Sequence, residues 1–178
     1  MLKAKNLNII SLLIFFLGLS MIPSSLWSLS SVSFFKYSDR NFFDFMAIIK
    51  SSSITCVSGI ILYIVTRFLG KNKKNDLKER DGFIIVTLGW LFCVLFSSLP
   101  YYFSSTPLSF TNSFFESMSG LTTTGATILG HSSTFQIEEL SIGILFWRSF
   151  TQFIGGMGII VFSIAILPIL GIGGVQLF

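Results

Sequence analysis

The chain has 178 residues, of which 52% are hydrophobic and only 11% charged, with a mean hydropathy of +0.79. That balance excludes an ordinary soluble domain and points to an all-α integral membrane protein, most of it facing lipid. The formal net charge of +4 arises from 12 Lys and Arg against 8 Asp and Glu, and where the basic residues cluster they are interleaved with acidic ones, which argues against a nucleic-acid surface.

Residues 8–29, "NIISLLIFFLGLSMIPSSLWSL", carry no charge and follow Lys3 and Lys5. The run exceeds the apolar core of a secretory signal and shows no obvious small-x-small cleavage site, so it reads as an uncleaved span, kinked but not ended by Pro23. A second span covers 45–69, with Lys50 placed to snorkel to an interface. A polar connector, "KNKKNDLKERDG" (71–82), leads into a third span over 83–103 whose Trp and Tyr suit the membrane–water boundary.

Lys and Arg of short loops are retained on the cytoplasmic side. Lys3, Lys5, Arg67, Lys71, Lys73, Lys74, Lys78 and Arg80 fall on one side, whereas Lys36 and Arg40 in the first loop are offset by Asp39 and Asp44. The amino terminus is therefore expected in the cytoplasm.

Residues 107–121, "PLSFTNSFFESMSGL", predict a helix of about four turns, too short to cross a hydrocarbon layer of about 30 Å. Its start has two candidates: Thr106 as N-cap before Pro107, or a capping box formed by Ser113 and Glu116. Phe110, Phe114 and Met118 share one face. "TTTGAT" (122–127) follows, and an irregular segment between two apolar elements outlines a re-entrant pore loop. Irregular backbone at membrane depth needs a partner for its carbonyl groups. A dehydrated monovalent cation supplies one, because rings of carbonyl oxygens replace its hydration shell. Glycine permits the conformations that turn successive carbonyls to one axis, and the lack of a carboxylate in 121–130 argues against a divalent ion.

The last span, 139–170, carries Arg148 inside one end. A charge at that depth is costly and is usually paired. Glu116 is the candidate partner, with snorkelling of Arg148 and simple capping by Glu116 as the plainer reading. Gly155, Gly156 and Gly158, and Gly171, Gly173 and Gly174, suit close helix packing, with loosening at a gate as the other reading, and Pro168 suits a bend. Cys56 and Cys93 read as small packed residues rather than a disulfide or metal ligands, and His131 with Glu138 and Glu139 matches no ligand spacing. With a single His and scattered carboxylates, an enzyme is not expected.

"FFESMSGLTTTGATILG" followed by "FWRSFTQFIGGMGIIVFSIAILPILGIGGVQLF" resembles the first pore repeat of the TrkH family, the membrane subunits of bacterial Trk potassium uptake systems within the Trk/Ktr/HKT superfamily. The two preceding spans resemble the extra amino-terminal hairpin of that family. The resemblance implies a hairpin (1–70), a basic linker (71–82) and one helix, pore-loop, helix repeat (83–178). It implies potassium bound by backbone carbonyls of Thr123, Thr124, Gly125 and Ala126, with Thr122 supporting them, and location in the bacterial inner membrane. It also implies a dimer and a cytosolic nucleotide-binding regulatory partner, and leaves channel-like passage and coupled symport as alternatives. The family uses four such repeats and this sequence holds one. It therefore reads as an amino-terminal fragment that needs the remaining repeats, or copies of itself, to conduct; the alternative is an inactive or purely structural membrane module.

Overall fold

The computed structural model describes residues 4–30, 38–69, 79–130, 137 and 140–169. Within these ranges the chain is helical: α1 (Ala4–Ser20), α2 (Ile22–Ser30), α3 (Ser38–Leu69), α4 (Glu79–Ser97), α5 (Leu99–Phe103), α6 (Phe110–Leu121) and α7 (Ile142–Ile169), with no strand among the described residues. Residues 71–78 of the basic linker lie outside them, as do Lys3, Lys36, His131, Glu138, Glu139, Gly171, Gly173 and Gly174.

Four stretches are long and apolar enough to cross a membrane: Ala4–Leu29, Asp39–Phe68, Arg80–Phe103 and Ile142–Val161. The first joins α1 and α2 across a turn at Met21. Pro23 has no N–H to extend the ladder, so the helix bends there and resumes, as the sequence suggests. The third joins α4 and α5 across Ser98, two residues before Pro100, for the same reason. At that break Trp147 Nε1 donates to Ser97 O at 3.0 Å. The second helix starts at Ser38 rather than at residue 45. Asp39 in its first turn suits the positive end of the helix dipole, so the apolar run understates the helix by two turns.

Lipid is as apolar as a leucine side chain, so helices here are held by close approach and hydrogen bonds rather than by exclusion of water. α1 packs chiefly on α3. Ser52 Oγ donates to Gly18 O at 2.7 Å and Cys56 Sγ to Phe15 O at 3.8 Å. A Cβ on Gly59 would stand 2.8 Å from Phe15 N. Cys56 is thus one of the small residues that let the two helices touch, and both cysteines are free. Many buried hydroxyls, including Ser11, Ser25, Ser51, Thr55, Ser97 and Thr151, donate to carbonyls three or four residues back. Each is satisfied within its own helix and adds no unpaired group at membrane depth.

One cluster ties the hairpin to the rest: Leu17, Met21, Ile48, Tyr101, Leu129, Leu140, Ile144 and Trp147 are all buried together. It draws on α1, α3, α5, α7 and Leu129, which lies just past the irregular segment. The wall behind that segment is therefore built partly from the leading hairpin.

Candidate functional site

α6 has 12 residues and spans about 18 Å at 1.5 Å per residue, well short of a bilayer. Its N-cap is Ser109, whose side chain accepts from Asn112 N at 3.3 Å. This differs from both expected starts. Thr106 O instead accepts from Ser104 Oγ in the preceding loop, and Glu116 is buried at 2% exposure far from any cap. Pro107 precedes the helix rather than opening it. Phe110 and Met118, on the face marked out by their spacing, are exposed, while the buried face carries Ser113, Glu116, Ser117, Ser119, Gly120 and Leu121. The polarity is inverted relative to a soluble helix because small and hydrogen-bonding residues, not large apolar ones, meet the neighbouring helix.

That neighbour is α7. A Cβ on Gly155 would fall on the Leu121 carbonyl, and one on Gly120 would stand 2.5 Å from Thr151 Oγ1. One turn further along, Arg148 Nε donates to Glu116 Oε1 at 2.7 Å. Arg148, Thr151 and Gly155 lie at i, i+3 and i+7, one stripe against one side of α6.

Residues 122–127 leave the helix through a Schellman motif. Thr123 N donates to Gly120 O and Thr124 N to Ser119 O, both at 3.0 Å. The residue in the left-handed region, normally glycine, is Thr123 with φ 56°. A β-branched residue there costs of order 1–3 kcal/mol and persists only where its surroundings impose it. Gly125 is also left-handed at φ 75°, a conformation that suits its lack of a side chain. The amides of Thr122, Thr123 and Thr124 are spent on the end of α6. Among the described residues nothing donates to the carbonyls of Thr122, Thr123, Thr124 and Gly125, and all four residues are exposed. The Ala126 carbonyl accepts from Ser119 Oγ at 2.5 Å. Thr122 Oγ1 donates to Met118 O at 2.7 Å and lies 2.8 Å from Thr124 Oγ1.

The far end of the segment is fastened by Glu116. Its two carboxylate oxygens both lie 3.0 Å from Thr127 Oγ1, and Ile128 N donates to Oε2 at 3.3 Å. The Glu116 side chain is 1% exposed and that of Arg148 23%. Four hydrogen-bond contacts to one buried carboxylate make the pair a clamp across the loop, a role the spacing of the two charges does not reveal. Thr127 in particular carried no signal beyond membership of the threonine run.

The Ser119 and Glu116 contacts thus hold residues 126–128, the end of α6 holds the amides of 122–124, and among the described residues four consecutive carbonyls, those of 122–125, have no donor. Such an edge can coordinate a weakly hydrated cation through neutral oxygens. Among the described residues no group of His, Cys, Asp and Glu is arranged to hold a metal ion of another kind.

A family model described as TrkH, cation transport protein, matches residues 48–178. The Trk system potassium uptake protein TrkH of Vibrio parahaemolyticus is 50% identical over 112 residues, covering 62% of this chain and 22% of that protein. The protein of the same name from Halomonas elongata is 39% identical over 173 residues, covering 97% of this chain and 32% of its own length. Among solved structures, that of the potassium transporter TrkH from Vibrio parahaemolyticus superimposes with a TM-score of 0.72 at 36% identity, covering 94% of this chain and 33% of the other. The chain spans a third or less of the length of these relatives.

Proposed function

This chain belongs to the TrkH cation transport protein family, and on that premise we propose that it forms one wall of a potassium-selective pore. The family is one of cation transporters rather than enzymes, and the four apolar spans make the chain a multi-pass membrane protein. The observation that carries the reading is the row of carbonyls at Thr122, Thr123, Thr124 and Gly125 that have no donor among the described residues, next to amides already spent on α6. The carbonyls of Thr123, Thr124 and Gly125 coordinate the ion; that of Ala126, implied by the resemblance to belong to the same set, already accepts from Ser119 Oγ and has one lone pair left to offer, while Thr122 braces the row through its hydroxyl contact to Thr124. The carboxyl-terminal end of α6 adds partial negative charge at the same place.

The chain divides into the hairpin 1–70, the linker 71–82 and the pore repeat 83–178. The cage closes only when facing walls are supplied, by further repeats or by copies of the chain. A dimeric assembly in the bacterial inner membrane with a cytoplasmic amino terminus, and a nucleotide-binding regulatory partner on the cytoplasmic face, complete the reading. The relatives' names, Trk system potassium uptake proteins, support the potassium part of this reading.

The test is uptake by cells that lack their own potassium transport. The protein as encoded should restore growth at limiting potassium and take up rubidium that excess potassium, but not sodium, competes away. A Gly125→Asp change should abolish that discrimination by placing a formal charge among neutral ligands. Uptake that sodium competes equally, or discrimination that survives Gly125→Asp, rejects the reading.

A further inference from the structure

The pore helix needs support at both ends, and its two supports come from different parts of the chain. Its carboxyl-terminal end rests on α7 through Gly155 and the Glu116–Arg148 pair. Its amino-terminal end hangs on the loop 104–109, where Ser104 Oγ bridges the carbonyls of Tyr101 and Thr106 and Leu108 N donates to Tyr101 O at 3.4 Å. That loop is fastened to the leading hairpin through Asp44. Asp44, in the second turn of α3 and 1% exposed, accepts from the backbone N of Ser105 and from Ser105 Oγ at 3.1 Å. Ser141, just before α7, lies beside the same carboxylate. At 32 residues α3 is about 48 Å long, enough to cross the hydrocarbon and carry Asp44 to the level of the loop. Lys50 Nζ, 4.2 Å above the Phe103 ring, keeps α3 alongside α5 on the way.

We propose that Asp44 is a positioning residue for ion selection, the point at which the leading hairpin sets the angle of α6 and so the register of residues 122–127. The proposal rests on the transport reading above. A buried carboxylate with charge-assisted bonds to a backbone amide is a rigid contact, and it is made across 61 residues of sequence to the loop four residues before the Ser109 cap. A hairpin that only anchored the protein in lipid would have no use for a buried charge aimed at the loop that leads into α6. Here the carboxylate bonds from α3 to both the backbone and the side chain of Ser105.

The experiment compares the protein as encoded with Asp44→Ala and Asp44→Asn, reconstituted in lipid nanodiscs and expressed in potassium-uptake-deficient cells. Asn keeps an acceptor for Ser105 N, so it should retain most function. Asp44→Ala should speed amide hydrogen exchange across 105–113 and 122–129 by about tenfold or more, as expected when its charge-assisted hydrogen bonds to Ser105 are lost. Exchange within α1 and the middle of α3 should stay unchanged. In cells it should lower the preference for potassium over sodium more than it lowers the amount of protein in the membrane. The proposal is overturned if faster exchange stops at residue 106, or if uptake falls only in proportion to protein amount with the preference intact. If the parent protein moves no potassium, the transport reading fails on its own, and the exchange pattern still decides whether Asp44 holds the loop.

Discussion

Arg148 Nε and Glu116 Oε1 meet at 2.7 Å, and the same carboxylate takes both Thr127 Oγ1 and Ile128 N. The two partners are therefore unequal. Removing Arg148 leaves a carboxylate that still has two donors, whereas removing Glu116 strands a guanidinium and releases the end of the loop together. Glu116→Ala is expected to cost about 3–5 kcal/mol, the range for breaking a buried pair, and Arg148→Ala less. Rubidium uptake against sodium, normalised to membrane protein, should collapse in Glu116→Ala and be reduced in Arg148→Ala. Equal losses would mean that the pair matters and the loop contacts do not.

Thr123 and Gly125 make opposite predictions although both have positive φ. Thr123→Gly removes a strained β-branched residue and should stabilise the fold by about 1 kcal/mol, since left-handed backbone costs an L-residue of order 1–2 kcal/mol. It also frees the peptide units that hold the carbonyls in register, so ion preference should fall as the melting temperature rises. Gly125→Ala meets open space, with Gln152 Nε2 the nearest atom at 3.8 Å. Its cost is conformational, about 1–2 kcal/mol. Thermal unfolding in detergent reads both signs; a destabilised Thr123→Gly would show that the left-handed turn is not under strain.

The spans, the short helix and the irregular threonine segment were legible in the sequence because lipid dictates them: a crossing helix needs length, and a helix of 12 residues cannot supply it. Arg148 and Glu116 were legible only as candidate partners, because a charge at depth looks for its opposite while snorkelling and capping would explain them as well. The start of α6 was not, since Ser104, Ser105, Thr106, Ser109 and Ser113 are all good caps and only the tertiary position of the loop selects Ser109. The left-handed Thr123 was invisible because its residue type argues against that conformation, and packing at the end of α6 overrides the preference. Asp44 was read as a topological charge, and its partner lies 61 residues away, beyond the reach of any local pattern.

Trp147 is fully buried and its indole N–H donates to the Ser97 carbonyl at the break before Pro100. Trp147→Phe preserves most of the ring volume and removes that donor, leaving a carbonyl unpaired beside Pro100. The expected loss is about 1–3 kcal/mol, the cost of one buried unsatisfied group, seen as a lower unfolding temperature with ion preference retained. A neutral result would show that the carbonyl finds another donor.

Gly155 and Gly156 are neighbours in sequence yet carry different loads. A methyl group on Gly155 runs into the main-chain carbonyl of Leu121, and a backbone group cannot turn aside as a side chain can. Relief requires α7 to move away from α6, which also pulls Arg148 from Glu116 two stripe positions along. A methyl group on Gly156 meets only Thr123 Cγ2 at 3.8 Å, an ordinary contact. Gly155→Ala should therefore cost at least the 1–3 kcal/mol typical of overpacking, roughly, and abolish selective uptake, while Gly156→Ala leaves both stability and uptake near the parent. The comparison is internally controlled, because the two changes are identical in helix propensity and in depth within α7. Equal behaviour of the two variants would mean that the glycines serve helix flexibility rather than contact, and that α7 does not set the position of residues 122–127 through Leu121.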